Sequence, residues 1–206
     1  MGYRVWGHPC TLNSEPCTLI TMQRLFISVN CDGKVKNQLL SVQEKIKSQS
    51  VKGNFSLPEN LHLTLVFIGE TPTDKIPLIT SAIDKALMPS ILPFTLTFST
   101  VGCFTHSNKE LWWIGTDRND TRLNILKTIR GRIADGLLSE GINFDNRLFN
   151  PHITLGREIK HNSPILIPKQ KIIFPVNRIS LMKSERIGGI LTYTEIYGRG
   201  LGIRDC

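Results

Sequence analysis

No stretch of this chain of 206 residues is apolar for the roughly eighteen residues that a helical membrane span needs, so a membrane protein of that kind is excluded. Its five cysteines, Cys10, Cys17, Cys31, Cys103 and Cys206, are odd in number, scattered and without C-x-x-C spacing. Neither a zinc ribbon nor a disulfide framework is indicated, and a reducing cytoplasm is the expected location. The chain also lacks a Gly-rich phosphate loop and the nucleophile motif of a Ser/His/Asp or Cys/His triad. Acidic residues are in deficit, 17 against 25 Lys and Arg, for a formal charge of +8, which favours a polyanionic partner such as RNA. What is left, 40% hydrophobic and 20% charged residues, is ordinary for a globular chain long enough to bury one core.

The first residues, "MGYRVWGHPCTLNSEPCTLIT", have no apolar stretch of secretory-signal length and no amphipathic repeat. Globular patterning begins with "MQRLFISVN" at Met22. Residues 1–21 therefore read as an extension, and 22–206 as the domain. Three segments carry helical periodicity. One follows Asp32 and aligns Val35, Leu39, Val42 and Ile46; another follows Thr73-Asp74, has Pro77 in its first turn and aligns Ile76, Ile79, Ile83 and Leu87. The third follows Asp120 and aligns Leu126, Ile129, Ile133 and Leu137. Strands are predicted at 24–29, 94–99, 111–116, 176–183 and 191–197. This order predicts an α+β fold with two similar halves, each a small antiparallel sheet backed by helices.

Two further strand-like segments, "NLHLTLVFIG" (60–69) and "NPHITLGREI" (150–159), repeat histidine, an apolar residue, threonine and leucine 90 residues apart, and both are expected to end at glycine, Gly69 and Gly156. Alternation along a strand places His62 and Thr64 on one face, about 6.5–7 Å apart at Cα, with Leu63 and Leu65 turned to a core. His152 and Thr154 repeat the arrangement, with Ile153 and Leu155 inward. One such histidine alone reads as a satisfied sheet residue. A pair facing each other across a cleft reads as a general base and a general acid, because imidazole titrates near neutrality. The hydroxyls suit the non-bridging oxygens of a phosphate, and Arg157 adds a charge-assisted fork. Strict alternation would turn Arg157 away from His152, but Gly156 stands between them and can redirect the backbone. The competing chemistry is a metal site. It is poorly supported, because threonine is a weak ligand and only Glu70 and Glu158 lie near the motifs, while His106 and His161 lack partners at metal spacing.

The paired motifs "HLTL" and "HITL" resemble those of the two-histidine phosphoesterase superfamily. With "MQRLFISV", "LHLTLVFIGE", "VGCF" before "LWWIG", "FNPHITLGR", and "LMKSER" before "YTEIY", the chain resembles the RNA 2′,3′-cyclic phosphodiesterases, also called 2′-5′ RNA ligases, from about Met22 to Tyr197. The resemblance implies a bilobal α+β fold, two pseudo-symmetric antiparallel sheets with a central cleft, and hydrolysis of RNA or nucleotide 2′,3′-cyclic phosphate ends to 2′-phosphomonoesters without metal or cofactor. It makes His62 the general acid and His152 the general base, Thr64 and Thr154 the phosphate-orienting hydroxyls, and Arg157 a phosphate contact. RNA bearing a cyclic end, or a cyclic nucleotide, is the implied partner, and a monomer is expected. Glycine before Arg157 departs from the family's usual alanine or larger residue, and the segment before Met22 has no family counterpart. Ligation through the reverse chemistry and RNA binding without turnover are the alternatives. Phe149, Trp112 and Trp113 are candidate base-stacking rings, and Arg147, Lys183 and Arg186 candidate backbone contacts.

Removing residues 1–21 is expected to leave the melting temperature and the implied activity almost unchanged. Thermal denaturation checks it; a large drop in Tm would make the segment part of the fold.

Overall fold

The computed structural model describes residues 21–107 and 109–202; the extension, apart from Thr21, lies outside the described residues. Strand β1 (Met22–Asn30) leads to helix α1 (Gly33–Lys47), the short β2 (Lys52–Phe55), β3 (His62–Pro72) and α2 (Ile76–Ala86). Strands β4 (Phe94–His106) and β5 (Lys109–Thr116) precede α3 (Leu123–Ser139), β6 (His152–Lys160), β7 (Ile172–Val176), β8 (Arg178–Ile187) and β9 (Ile190–Gly200). No helix among the described residues is long and apolar enough to cross a membrane.

The three helices form where the apolar periodicity places them. Asp32 caps α1 by accepting the Val35 amide at 2.7 Å, and Val35, Leu39, Val42 and Ile46 are buried along one face. Pro77 sits in the first turn of α2, where a missing N–H costs nothing, and Ile79 and Ile83 are fully buried. Leu126, Ile129, Ile133 and Leu137 of α3 join the same core as the inward residues of the strands.

The architecture is α+β, but the strands make one curled antiparallel sheet rather than two. Its order is β7-β4-β5-β6-β3-β1-β8-β9, with β2 against the remaining edge of β6. Two groups of four strands meet where β3 pairs with β6, at the registered pair Leu63↔Ile153. Pairing there satisfies backbone groups that two separate sheets would leave as raw edges. The seam is narrow. Beyond it β6 pairs with β2 instead, Phe55↔Gly156 and Asn54↔Arg157, and β3 and β6 part company.

Six elements differ from the sequence reading. β2 was not expected, β7 and β8 replace a single strand at 176–183, and β4 runs on to His106. Neither histidine strand stops at its glycine: β3 continues through Gly69 to Pro72, and β6 through Gly156 to Lys160. Replacing Asp32 by alanine is expected to cost about 0.5–2 kcal/mol through the lost α1 cap, read as a lower urea midpoint at unchanged m.

Candidate active site

Both histidine strands are irregular in the same way. On β3, Ser28 pairs with Thr64 and Ile27 with Val66, then Phe26 with Phe67 and Leu25 with Gly69, so Leu65 and Ile68 are extra residues. On β6, Trp113 pairs with Thr154 and Trp112 with Gly156, then Leu111 with Arg157 and Glu110 with Ile159, making Leu155 and Glu158 extra. Each bulge resets alternation by one residue, so Phe67 returns to the face of Thr64, and Arg157 to the face of Thr154. The redirection that Gly156 was expected to allow is therefore a bulge at Leu155–Gly156. Gly156 has its own reason to be small, since a Cβ there would lie 2.9 Å from Ile159 Cδ1 and 3.2 Å from Phe55 Cδ1. Gln43 of α1, buried despite its polarity, donates from Nε2 to the bulged Leu155 carbonyl at 2.7 Å and to the Ser56 carbonyl at 2.9 Å.

All five residues singled out in the sequence, His62, Thr64, His152, Thr154 and Arg157, line one cleft of about 1370 Å³. Its walls also include Arg24, Phe26, Phe67, Tyr193, Lys183 and Arg186. Each imidazole donates from Nδ1 to the carbonyl two residues earlier, His62 to Asn60 and His152 to Asn150, both at 2.7 Å. A carbonyl only accepts, so Nδ1 carries the proton and Nε2 keeps its lone pair in the neutral ring. Here the halves diverge. Thr64 Oγ1 lies 2.9 Å from His62 Nε2 and donates to it, and the His62 ring packs against Phe26 (centroids 4.7 Å) and Tyr193 (5.2 Å, edge-on), which also meet each other at 4.9 Å.

Electrostatics push both rings toward neutrality. Burial holds His62 down at about 4, aided by the charges of Arg157 and His152 and opposed by the hydrogen bond to Asn60. Burial and Arg157 lower His152 in the same direction. Glu158 is taken up by Lys109 and Asn54. Among the described residues no three His, Cys, Asp or Glu side chains gather as a metal would require.

The other candidates separate. Trp112 is buried, with its indole N–H donating to Glu110, while Trp113 shares the cleft-side face of its strand with Thr154. Phe149 packs against the core with Arg130 over its ring, and Arg147 forks onto Asp145, neither of them on the cleft wall. Lys183 and Arg186 do line the cleft, Lys183 paired with Glu185 at 2.8 Å. Sequence reasoning missed Asn60 and Asn150, Phe26, Tyr193, and Phe67 with Arg24 4.9 Å over its ring. A signal for the asparagines was present, since the repeat starts two residues before each histidine, "NLHLTL" and "NPHITL".

Known proteins resemble the chain in sequence and in fold. The 2′-5′ RNA ligase superfamily matches residues 40–188. The chain is similar to the RNA 2′,3′-cyclic phosphodiesterase of Methanocaldococcus jannaschii, 30% identical over 136 residues, 65% of this chain and 70% of that protein. The protein of the same name from Thermotoga maritima is 28% identical over 137 residues, 65% and 69% of the two chains. Among solved structures, apo LigT of Escherichia coli superposes with a TM-score of 0.68 at 25% identity, covering 88% of this chain and 98% of that one.

Because Arg157 lowers both histidines, Arg157→Met is expected to raise the pKa of each. An NMR titration of the two imidazoles measures it; unmoved titrations would mean that the Arg157 charge does not act on them.

Proposed function

The chain belongs to the 2′-5′ RNA ligase superfamily, in its RNA 2′,3′-cyclic phosphodiesterase branch, and from that membership we propose that it opens 2′,3′-cyclic phosphate ends of RNA, or of nucleotides, to 2′-phosphomonoesters. The observation that carries the reading is the meeting of both H-x-T-x motifs and Arg157 in one cleft, each imidazole with Nδ1 committed to a backbone carbonyl. The domain is taken as residues 22–206, its two four-strand halves as pseudo-symmetric lobes, acting as a monomer in a reducing cytoplasm.

In this reading Arg157 and the hydroxyls of Thr64 and Thr154 hold the non-bridging oxygens. His152 Nε2 takes a proton from water as the water oxygen bonds to phosphorus, in line with the departing 3′-oxygen. The P–O3′ bond breaks, His62 gives its Nε2 proton to the 3′-oxygen, and the phosphate stays on the 2′-oxygen. An acid held down at about 4 by burial needs help to be protonated near neutrality. The substrate supplies it, since the negative charge of a bound phosphodiester favours the imidazolium. Once Nε2 is protonated, Thr64 no longer donates to it, so its hydroxyl turns to a non-bridging oxygen while the Nε2 proton faces the 3′-oxygen.

Ligation is the alternative: a second strand's 5′-hydroxyl attacks phosphorus where water does, and its proton goes to His152. The 3′-oxygen departs with the proton from His62, and the product is a 2′-5′ linkage, the reverse of cleaving one. Binding without turnover accounts for the basic charge but gives no reason for two oriented imidazoles. No metal is needed in these steps, and a chelator is expected to leave the rate unchanged. His62→Ala and His152→Ala should each lose about 10²–10⁴-fold in turnover of a nucleoside 2′,3′-cyclic phosphate while remaining folded. With a 3′ leaving group acidic enough to depart unprotonated, His62→Ala should regain much of its rate and His152→Ala should not. The opposite recovery would exchange the roles, and activity within threefold of the parent in either variant would end the reading.

A further inference from the structure

The sequence signatures "VGCF" and "LWWIG" lie on β4 and β5, where Gly102 pairs with Trp113 and Thr100 with Gly115. The Trp113 indole rests against both glycines. A Cβ on Gly102 would lie 2.8 Å from Trp113 Cζ2 and 2.9 Å from Cη2, and one on Gly115 would lie 2.8 Å from Cζ3. Packed carbons sit at about 3.5–4.0 Å, so neither position can carry a side chain while the ring keeps its place. Phe104, itself 42% exposed, covers the indole with centroids 5.1 Å apart. Both rings meet His152, Phe104 edge-on at 5.5 Å and Trp113 at 6.2 Å and 63°. Gly115 is also the register partner of His152.

The two imidazoles are held differently. His62 has two hydrogen bonds, from Nδ1 to Asn60 and at Nε2 from Thr64. Among the described residues one hydrogen bond, to Asn150, holds His152. A single bond at Nδ1 lets the ring rock about its Cβ–Cγ axis unless something blocks the swing. Among the described residues the buried Trp113 indole N–H has no hydrogen-bond partner, so the ring acts there through its shape and not through a polar contact.

We infer that Trp113 is a positioning residue for His152, its indole bedded on Gly102 and Gly115 and covered by Phe104 so that Nε2 keeps a fixed direction into the cleft. The inference rests on the proposed role of His152 as the base. The same wall keeps water off the ring, in line with burial as the main cause of its lowered pKa.

Steady-state kinetics with a nucleoside 2′,3′-cyclic phosphate and an NMR titration of His152 test this in Trp113→Leu, Trp113→Phe, Gly115→Ala and the double variant Gly115→Ala with Trp113→Phe. Trp113→Leu should lower kcat about 10–100-fold with KM within threefold, the loss expected when a reacting group is displaced by about an ångström. Its His152 pKa should rise toward the ordinary value, and Trp113→Phe should keep more of the rate. Gly115→Ala should resemble Trp113→Leu, whereas in the double variant the smaller ring relieves the clash and the losses should not add. If Gly115→Ala does not fold, the two Trp113 variants carry the test. Parent-like kcat and titration in Trp113→Leu, with His152→Ala inactive, would overturn the positioning role and leave the reaction standing. Loss that merely follows the folded fraction, with the titration unmoved, would overturn it too. An active His152→Ala would remove the reading and the inference together.

Discussion

Leu63 and Ile153 face each other across the β3–β6 seam, and because side chains alternate along a strand, that registration decides what both strands offer to the cleft. With these two residues fixed in the core, His62 and Thr64, and His152 and Thr154, must project from the other face. The seam is only as long as it needs to be. One registered pair brings the motifs together, and the parting of β3 from β6 beyond it leaves room between them. The core that enforces the arrangement is shared, since the apolar faces of α1, α2 and α3 pack on the inward residues of strands from both halves.

The bulges decide which residues beyond each motif reach the cleft. Without the extra Leu155, Arg157 would point into the core, where an unpaired guanidinium is costly. At the bulge the Leu155 carbonyl accepts from the Ser56 amide at 2.9 Å, and Gln43 reaches from α1 to add a second hydrogen bond to it. A buried glutamine on an otherwise apolar helix face is thus part of how the charge reaches the cleft. That charge then acts on both imidazoles, which burial already disfavours as cations.

Much of this was legible in the sequence because it is periodic. The three helices follow runs of apolar residues at helical spacing, and both motifs announce their strands by alternation. β2 was not legible: "KGNF" is four residues with no alternation to read, and it is a strand because β6 offers it an edge. The single sheet was hidden for a related reason, since a pairing between residues 90 apart leaves no local mark. Arg157 was read correctly as facing the cleft, though through glycine's freedom and not through the inserted residue that performs the turn. Asn60 and Asn150 act through their carbonyls, which every residue possesses, so only repetition pointed to them. Phe26 and Tyr193 reach His62 by way of registers that join distant strands.

The 90-residue correspondence extends beyond the motifs to the bulges, and five residues past each histidine it pairs unlike residues: Phe67 stands on β3 where Arg157 stands on β6. A cleft with two identical walls would have no preferred direction. A phosphodiester could lie in it either way round, and each histidine would meet the attacking oxygen in half of all encounters. An arginine on one motif strand where the other strand has a phenylalanine makes the two walls unequal and removes that degeneracy. On the proposed reading, a scaffold that looks like one motif copied becomes a directional tool, in which the identity of acid and base is written by a neighbour five residues away and not by the histidines themselves.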